Sequence, residues 1–206
     1  MIKNLTNGTC AKCGKKVDFY VIKDKSFDLN LNNYNTFKRP IINVCPNCNY
    51  INEDLSENNE LFNETKLILD KDNSLETNLL NNIKLDRAYL RNIIDFDKKI
   101  RVLANIYENN KLLYNNFLKD NYTKEDDITI EKIRLLKSNI KNSCEEIISL
   151  LNENSVNSDF IDILKIEVLC SLNKIDDAKK LLSKYNNLSP DLYDYLDDCI
   201  MLGGIN

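Results

Sequence analysis

Histidine and tryptophan are missing from this chain altogether. Without histidine there is no ordinary general base, no Ser/His or Cys/His nucleophile pair, and no metal site built on imidazole. Few hydrolytic mechanisms survive that loss. Carboxylate or tyrosine chemistry would have to serve instead, and no constellation of those residues stands out, so a non-enzymatic protein is expected. Long apolar runs are lacking too: no stretch approaches the roughly 20 residues that cross a bilayer, and Met1-Ile2-Lys3-Asn4-Leu5 lacks the apolar core of a signal peptide. The expectation is a cytoplasmic protein without a membrane partner. Alanine is scarce while asparagine supplies about one residue in six, the mark of base-composition bias in an A/T-rich genome. What remains is ample for folding, since 206 residues with 43% apolar content fit one or two small domains with a core.

Against these absences, cysteine is patterned. Cys10-Ala11-Lys12-Cys13 is followed by Gly14, and Cys45-Pro46-Asn47-Cys48 by Asn49. In a C-x-x-C knuckle both sulfurs reach one ion while the following backbone N–H groups point at them, and two such pairs make a four-thiolate site. The residue after each knuckle needs positive φ, which glycine adopts freely and asparagine tolerates. Disulfides would call for an exported protein. A thioredoxin-type redox pair would call for a helix after the motif and for one copy rather than two. Cys10, Cys13, Cys45 and Cys48 are therefore the candidate metal ligands, with zinc the expected ion and iron the alternative. Four thiolates leave zinc no open position, which argues for a structural rather than a catalytic ion.

The 31 residues between the knuckles exceed the roughly 15–20 of a compact four-cysteine module, so they must fold back. Val17, Phe19 and Val21 alternate with Asp18, Tyr20 and Ile22. Phe27, Leu29 and Leu31 alternate with Asp28, Asn30 and Asn32, around a turn at Lys23-Asp24-Lys25-Ser26. Ile41, Ile42 and Val44 form a third short run that delivers Cys45. The expectation is a small antiparallel sheet of about three strands. C-x-x-C-G and a distant C-P-x-C are similar to the rubredoxin-like zinc ribbons. True rubredoxins hold iron and carry electrons, but Lys15 and Lys16 stand where they have aromatic residues and no tryptophan precedes the second knuckle.

Charge is uneven. Residues 1 to 51 carry eight Lys or Arg against three Asp or Glu, and the remainder 20 against 29. A basic ribbon can touch nucleic acid, through Lys12, Lys15, Lys16, Lys38 and Arg39; equally, these cations balance the anionic site and keep the surface soluble.

From Asn52 the period changes to that of helices. Leu61, Thr65, Ile68 and Leu69 suggest a short one. Ser74 caps a second with Leu75, Leu79, Leu80 and Ile83 inward, running toward Tyr89, Leu90 and Ile93 after a break. Phe96, Ile100, Leu103, Tyr107, Tyr114 and Phe117 mark a third. Thr123-Lys124-Glu125-Asp126 has capping-box spacing before the longest stripe, Ile133, Leu136, Ile140, Cys144, Ile147 and Leu151. Phe160 to Leu172 makes another helix, ended by left-handed Asn173. Ala178, Leu181, Leu182 and Tyr185 face inward from the next, and Ser189-Pro190 starts the last, which Gly203-Gly204 ends. Cys144, Cys170 and Cys199 read as buried small hydrophobes, and Asp191, Asp194, Asp197 and Asp198 as a solvated face.

Ile161 to Pro190 resembles a tetratricopeptide unit, with Leu172 to Ala178 as its inter-helix turn and Ala178 and Pro190 at the family's spacing of small residue and closing proline; Ile166 and Tyr185 depart from it. Taken with the knuckles, Arg39-Pro40 and Tyr50, the chain is similar to an uncharacterised bacterial family in which a two-C-x-x-C ribbon precedes tetratricopeptide-like helices. The expectation is an α+β protein: a small antiparallel zinc ribbon over residues 1–52, then an all-α tetratricopeptide-like domain over 53–206. The family lends no activity of its own, but repeats of this kind generally serve as binding surfaces, so a protein partner is expected.

Overall fold

The computed structural model describes residues 3–22, 30–58, 67, 69–121, 123–124, 126–154 and 158–202. Small antiparallel strands come first and helices follow, so the α+β layout holds. Strand β1 (Lys3–Thr9) pairs with β2 (Lys16–Ile22), and β3 (Asn43–Val44) with β4 (Ile51–Asn52). The ribbon is thus two separate hairpins, each with a knuckle as its loop, rather than one sheet of about three strands. β2 alternates as its sequence does, with Val17 and Phe19 buried and Asp18 and Tyr20 exposed. Its partner, however, lies before the first knuckle.

The expected return strand does not form where it can be followed. Its turn and residues 27–29 lie outside the described residues, and Leu31 instead opens helix α1 (Leu31–Phe37). Asn30 decides this: its side chain accepts the Asn33 N–H at 2.9 Å, capping the helix start. Asn43 then ties the hairpins together. Its amide exchanges hydrogen bonds with the Tyr20 backbone at 3.0 and 2.9 Å and donates to the Glu53 carbonyl at 2.7 Å.

The helices are α2 (Leu75–Leu90), α3 (Phe96–Asn121), α4 (Asp127–Glu153), α5 (Asp159–Ser171), α6 (Ile175–Leu182) and α7 (Pro190–Leu202). Helices α2 to α6 pack mainly on their neighbours in sequence, the habit of helical repeat arrays, while α7 reaches past α6 to α5 and α1 as well. The expected short helix around Leu61 falls largely outside the described residues, and Leu69 and Asp70 are not helical. α2 runs unbroken, and Leu75 and Leu80, expected inward, are exposed. α4 is the longest at 27 residues, but its cap is Asp126 rather than Thr123. The Asp126 carboxylate accepts the Thr129 N–H at 2.9 Å and its hydroxyl at 2.8 Å, which places the start three residues later than the capping-box spacing suggests.

α5 ends as expected. Asn173 has φ 59°, and the Lys174 N–H reaches the Leu169 carbonyl at 2.8 Å while the Asn173 N–H reaches Cys170 at 2.9 Å, a Schellman closure. The turn lets α6 fold back on α5 with Ala178 fully buried between them. α6 is short, ending at Leu182, so Tyr185 follows the helix rather than extending its inner face. Gly203-Gly204 lies outside the described residues.

Candidate metal centre

The two knuckles are built alike, atom for atom in the backbone. In the first, the Gly14 N–H donates to the Cys10 carbonyl at 2.8 Å and the Cys10 N–H to Lys15 at 2.9 Å; in the second, Asn49 donates to Cys45 at 2.9 Å and Cys45 to Tyr50 at 2.8 Å. Gly14 has φ 70° and Asn49 φ 58°, the left-handed conformation that glycine adopts freely and asparagine tolerates. Each turn therefore folds from local sequence, and the hairpin strands aim one turn at the other. Ala11 N–H donates to the Leu55 carbonyl at 2.8 Å, and Tyr50 Oη to that of Glu57 at 2.6 Å, so residues beyond Asn52 also brace the knuckles.

The four Sγ atoms of Cys10, Cys13, Cys45 and Cys48 lie within 4.8 Å of one another. Cys10 and Cys48 are 3.8 Å apart across the site, as are Cys13 and Cys45. A tetrahedron with zinc–sulfur bonds of about 2.3 Å has edges of about 3.8 Å. The sulfurs thus stand where one ion can be shared by all four, with Cys10 and Cys45 buried and the other two half-buried.

Their acidities respond to crowding. Burial raises the Cys10 and Cys48 thiols, Cys48 to about 12. Burial also acts on Cys45, but N–H groups of Asn47 and Cys48 and the thiols of Cys48 and Cys10 outweigh it and bring it down to about 7. The Cys45 thiolate forms readily while Cys10 and Cys48 resist; a divalent cation removes that resistance by replacing their protons.

Of the basic residues suspected of touching nucleic acid, Lys12, Lys15 and Lys16 are exposed on the first hairpin. Lys38 is not: it is 1% exposed and holds Glu167 at 3.2 Å and Glu108 at 3.3 Å. Arg39 also pairs with Glu108, at 3.3 Å. Cys144 and Cys170 are buried and Cys199 half-buried, and burial raises each thiol, which suits packing rather than reactivity.

The network around Glu167 was not foreseen. On α5, this carboxylate accepts Tyr34 Oη and Tyr195 Oη at 2.5 Å each and Lys111 Nζ at 2.8 Å, besides Lys38. Burial alone would raise it; the charges of Lys111 and Lys38 win and hold the carboxyl well below the usual range. Tyr34 and Lys38 come from α1 and its C-terminal cap, so the ribbon's own helix is pinned to α3, α5 and α7. Phe37 stacks on Phe160 with ring centroids 5.6 Å apart beside it. A signal existed: Glu167 is the lone carboxylate in the run Ile163-Leu164-Lys165-Ile166-Glu167-Val168-Leu169, and a charge on a helix buried nearly all round needs a partner. The partner's identity had no such signal.

No family model matches the chain, and neither the curated proteins nor the solved structures yield a match. What the structure itself shows is the cluster of four close cysteines and a small N-terminal β part followed by helices. No helix among the described residues is long and apolar enough to cross a membrane.

Proposed function

We propose that the protein is a non-enzymatic, cytoplasmic zinc protein in which the ion holds the ribbon together and the ribbon, pinned by Lys38 and Glu167, stabilises a helical surface that binds another protein. The observation that carries this reading is the convergence of four thiols from two like knuckles, a geometry that encloses an ion on all sides and offers substrate no coordination position. Supporting the partner, α4 displays Ile128 and Leu135 at 82% and 59% exposure, apolar area left open among the described residues.

Elemental analysis of carefully reduced protein tests the metal. One zinc per chain and no visible colour are expected. Red protein with iron absorbance would favour the rubredoxin-like electron carrier, and a metal content near zero would remove both. A salt-sensitive affinity for nucleic acid, lost when Lys12, Lys15 and Lys16 are changed together, would transfer the binding role to the ribbon.

A further inference from the structure

A cleft of about 530 Å³ lies between residues 35–42, the end of α1 and the segment that leaves it, and the facing sides of α2 and α3. Two of the polar residues lining it are more than nine-tenths buried. Asp86 is 2% exposed, and among the described residues its single hydrogen bond comes from Asn105 Nδ2, at 2.8 Å. A carboxylate accepts about four hydrogen bonds, so most of its capacity is unused. Burial, opposed by Asn105 and by the nearby Arg87, lifts the carboxyl to about 7; Arg87 itself is occupied by Glu146. Asn109 is 6% exposed, and its Nδ2 has no hydrogen-bond partner among the described residues. Buried donors are nearly always satisfied, and one left over beside a cavity calls for an acceptor from outside the chain, a water or a ligand atom.

The remaining lining sets the ligand's other features. Arg39 contributes an exposed cation, with Nη2 held by Glu108 and, among the described residues, no other partner on its fork, which leaves room for an anion. Leu112 and Ile42 add apolar wall, and the volume suits a small molecule. We propose that this cleft binds a small zwitterion of the amino-acid class, its ammonium on Asp86, an acceptor oxygen on Asn109 and its carboxylate on Arg39. A simple cation would leave Asn109 and Arg39 unanswered, and a simple anion would face the Asp86 carboxylate.

The test uses the full chain loaded with its metal and the free L-amino acids as probes, each raised to about 10 mM, a decade above millimolar affinity. The readouts are calorimetry and the side-chain amide resonances of asparagine. At least one amino acid should bind saturably and shift the Asn109 amide in the unaltered protein, while methylammonium and acetate alone should not. Asp86→Asn should weaken binding by about tenfold or more, as loss of a charge-assisted contact requires, with metal content unchanged. Because the amide shift is read in the unaltered chain, the test does not depend on the variant folding. Silence across the amino acids, or binding that survives both Asp86→Asn and Asn109→Leu, overturns the proposal without touching the zinc reading.

Discussion

Replacing Glu167 by glutamine isolates what pins the ribbon to the helices. Lys111 meets Glu167 at 2.8 Å, and on the surface Lys132 meets Glu76 at the same 2.8 Å. Geometry is matched and burial is not: Glu167 is 1% exposed and Glu76 49%. An exposed pair contributes about 0–1 kcal/mol. Removing one member of a buried pair costs about 3–5 kcal/mol, because the other charge is left dry and unpaired. In Glu167→Gln that charge is Lys38, also 1% exposed, with Glu108 at 3.3 Å as its remaining partner; Lys111, more exposed, can turn to water. The expected loss is therefore about 3–4 kcal/mol for Glu167→Gln against about 1 or less for Glu76→Gln, compared by urea unfolding followed by circular dichroism. Amide exchange should speed up in α1, whereas metal content should not change, since the knuckles do not touch Glu167. The pH dependence has a sign. Glu167 is depressed in the fold, so its stabilisation is present above the unfolded value of 4.5 and lost as pH falls; the variant should lack that acid-side loss. A Glu167→Gln cost as small as that of Glu76→Gln would refute the reasoning, since burial would then not be what matters.

Four further outcomes follow from the same structure. Stripping the metal, or changing Cys45 to serine, should unfold the two hairpins, because structural zinc supplies about 10–16 kcal/mol and so small a ribbon has little core of its own; chemical-shift dispersion in β1 to β4 would report it. Gly8→Ala places a Cβ 2.7 Å from Phe19 Cε1, a ring atom of a buried residue, and should cost about 1–3 kcal/mol by overpacking. At Gly14 an added Cβ meets nothing within 4 Å, so the φ of +70° alone sets the cost there, about 1–2 kcal/mol for alanine and less for asparagine, in thermal melts. Asp86 titrates near 7 in the fold against 3.8 free, so ionising it destabilises: stability should fall as pH rises from 3.8 through about 7, by about 4 kcal/mol at most, and Asp86→Asn should flatten that part of the profile in pH-dependent urea melts.

The parts of the molecule that could be read directly from the sequence are those held by contacts a few residues long. Cys10 and Cys13, Cys45 and Cys48, and the positive φ of Gly14 and Asn49 belong to turns that close within five residues, and the same is true of Asn173 after α5. Most helix stripes were legible too, since a 3.6-residue period shows without reference to what it packs against, although Leu75 and Leu80 of α2 turned out to face outward. Tertiary structure decided the rest. β1, rich in polar residues and with Leu5 62% exposed, carries little strand signal and forms because β2 is there to pair with it. Leu31 alternates like a strand residue yet lies in a helix whose Tyr34 and neighbouring Lys38 find Glu167 more than 120 positions away. That pairing, like the meeting of Asp86 and Asn109 on one cleft, depends on which helices end up adjacent. No local pattern of residues encodes a distance between segments that only the packed chain brings together.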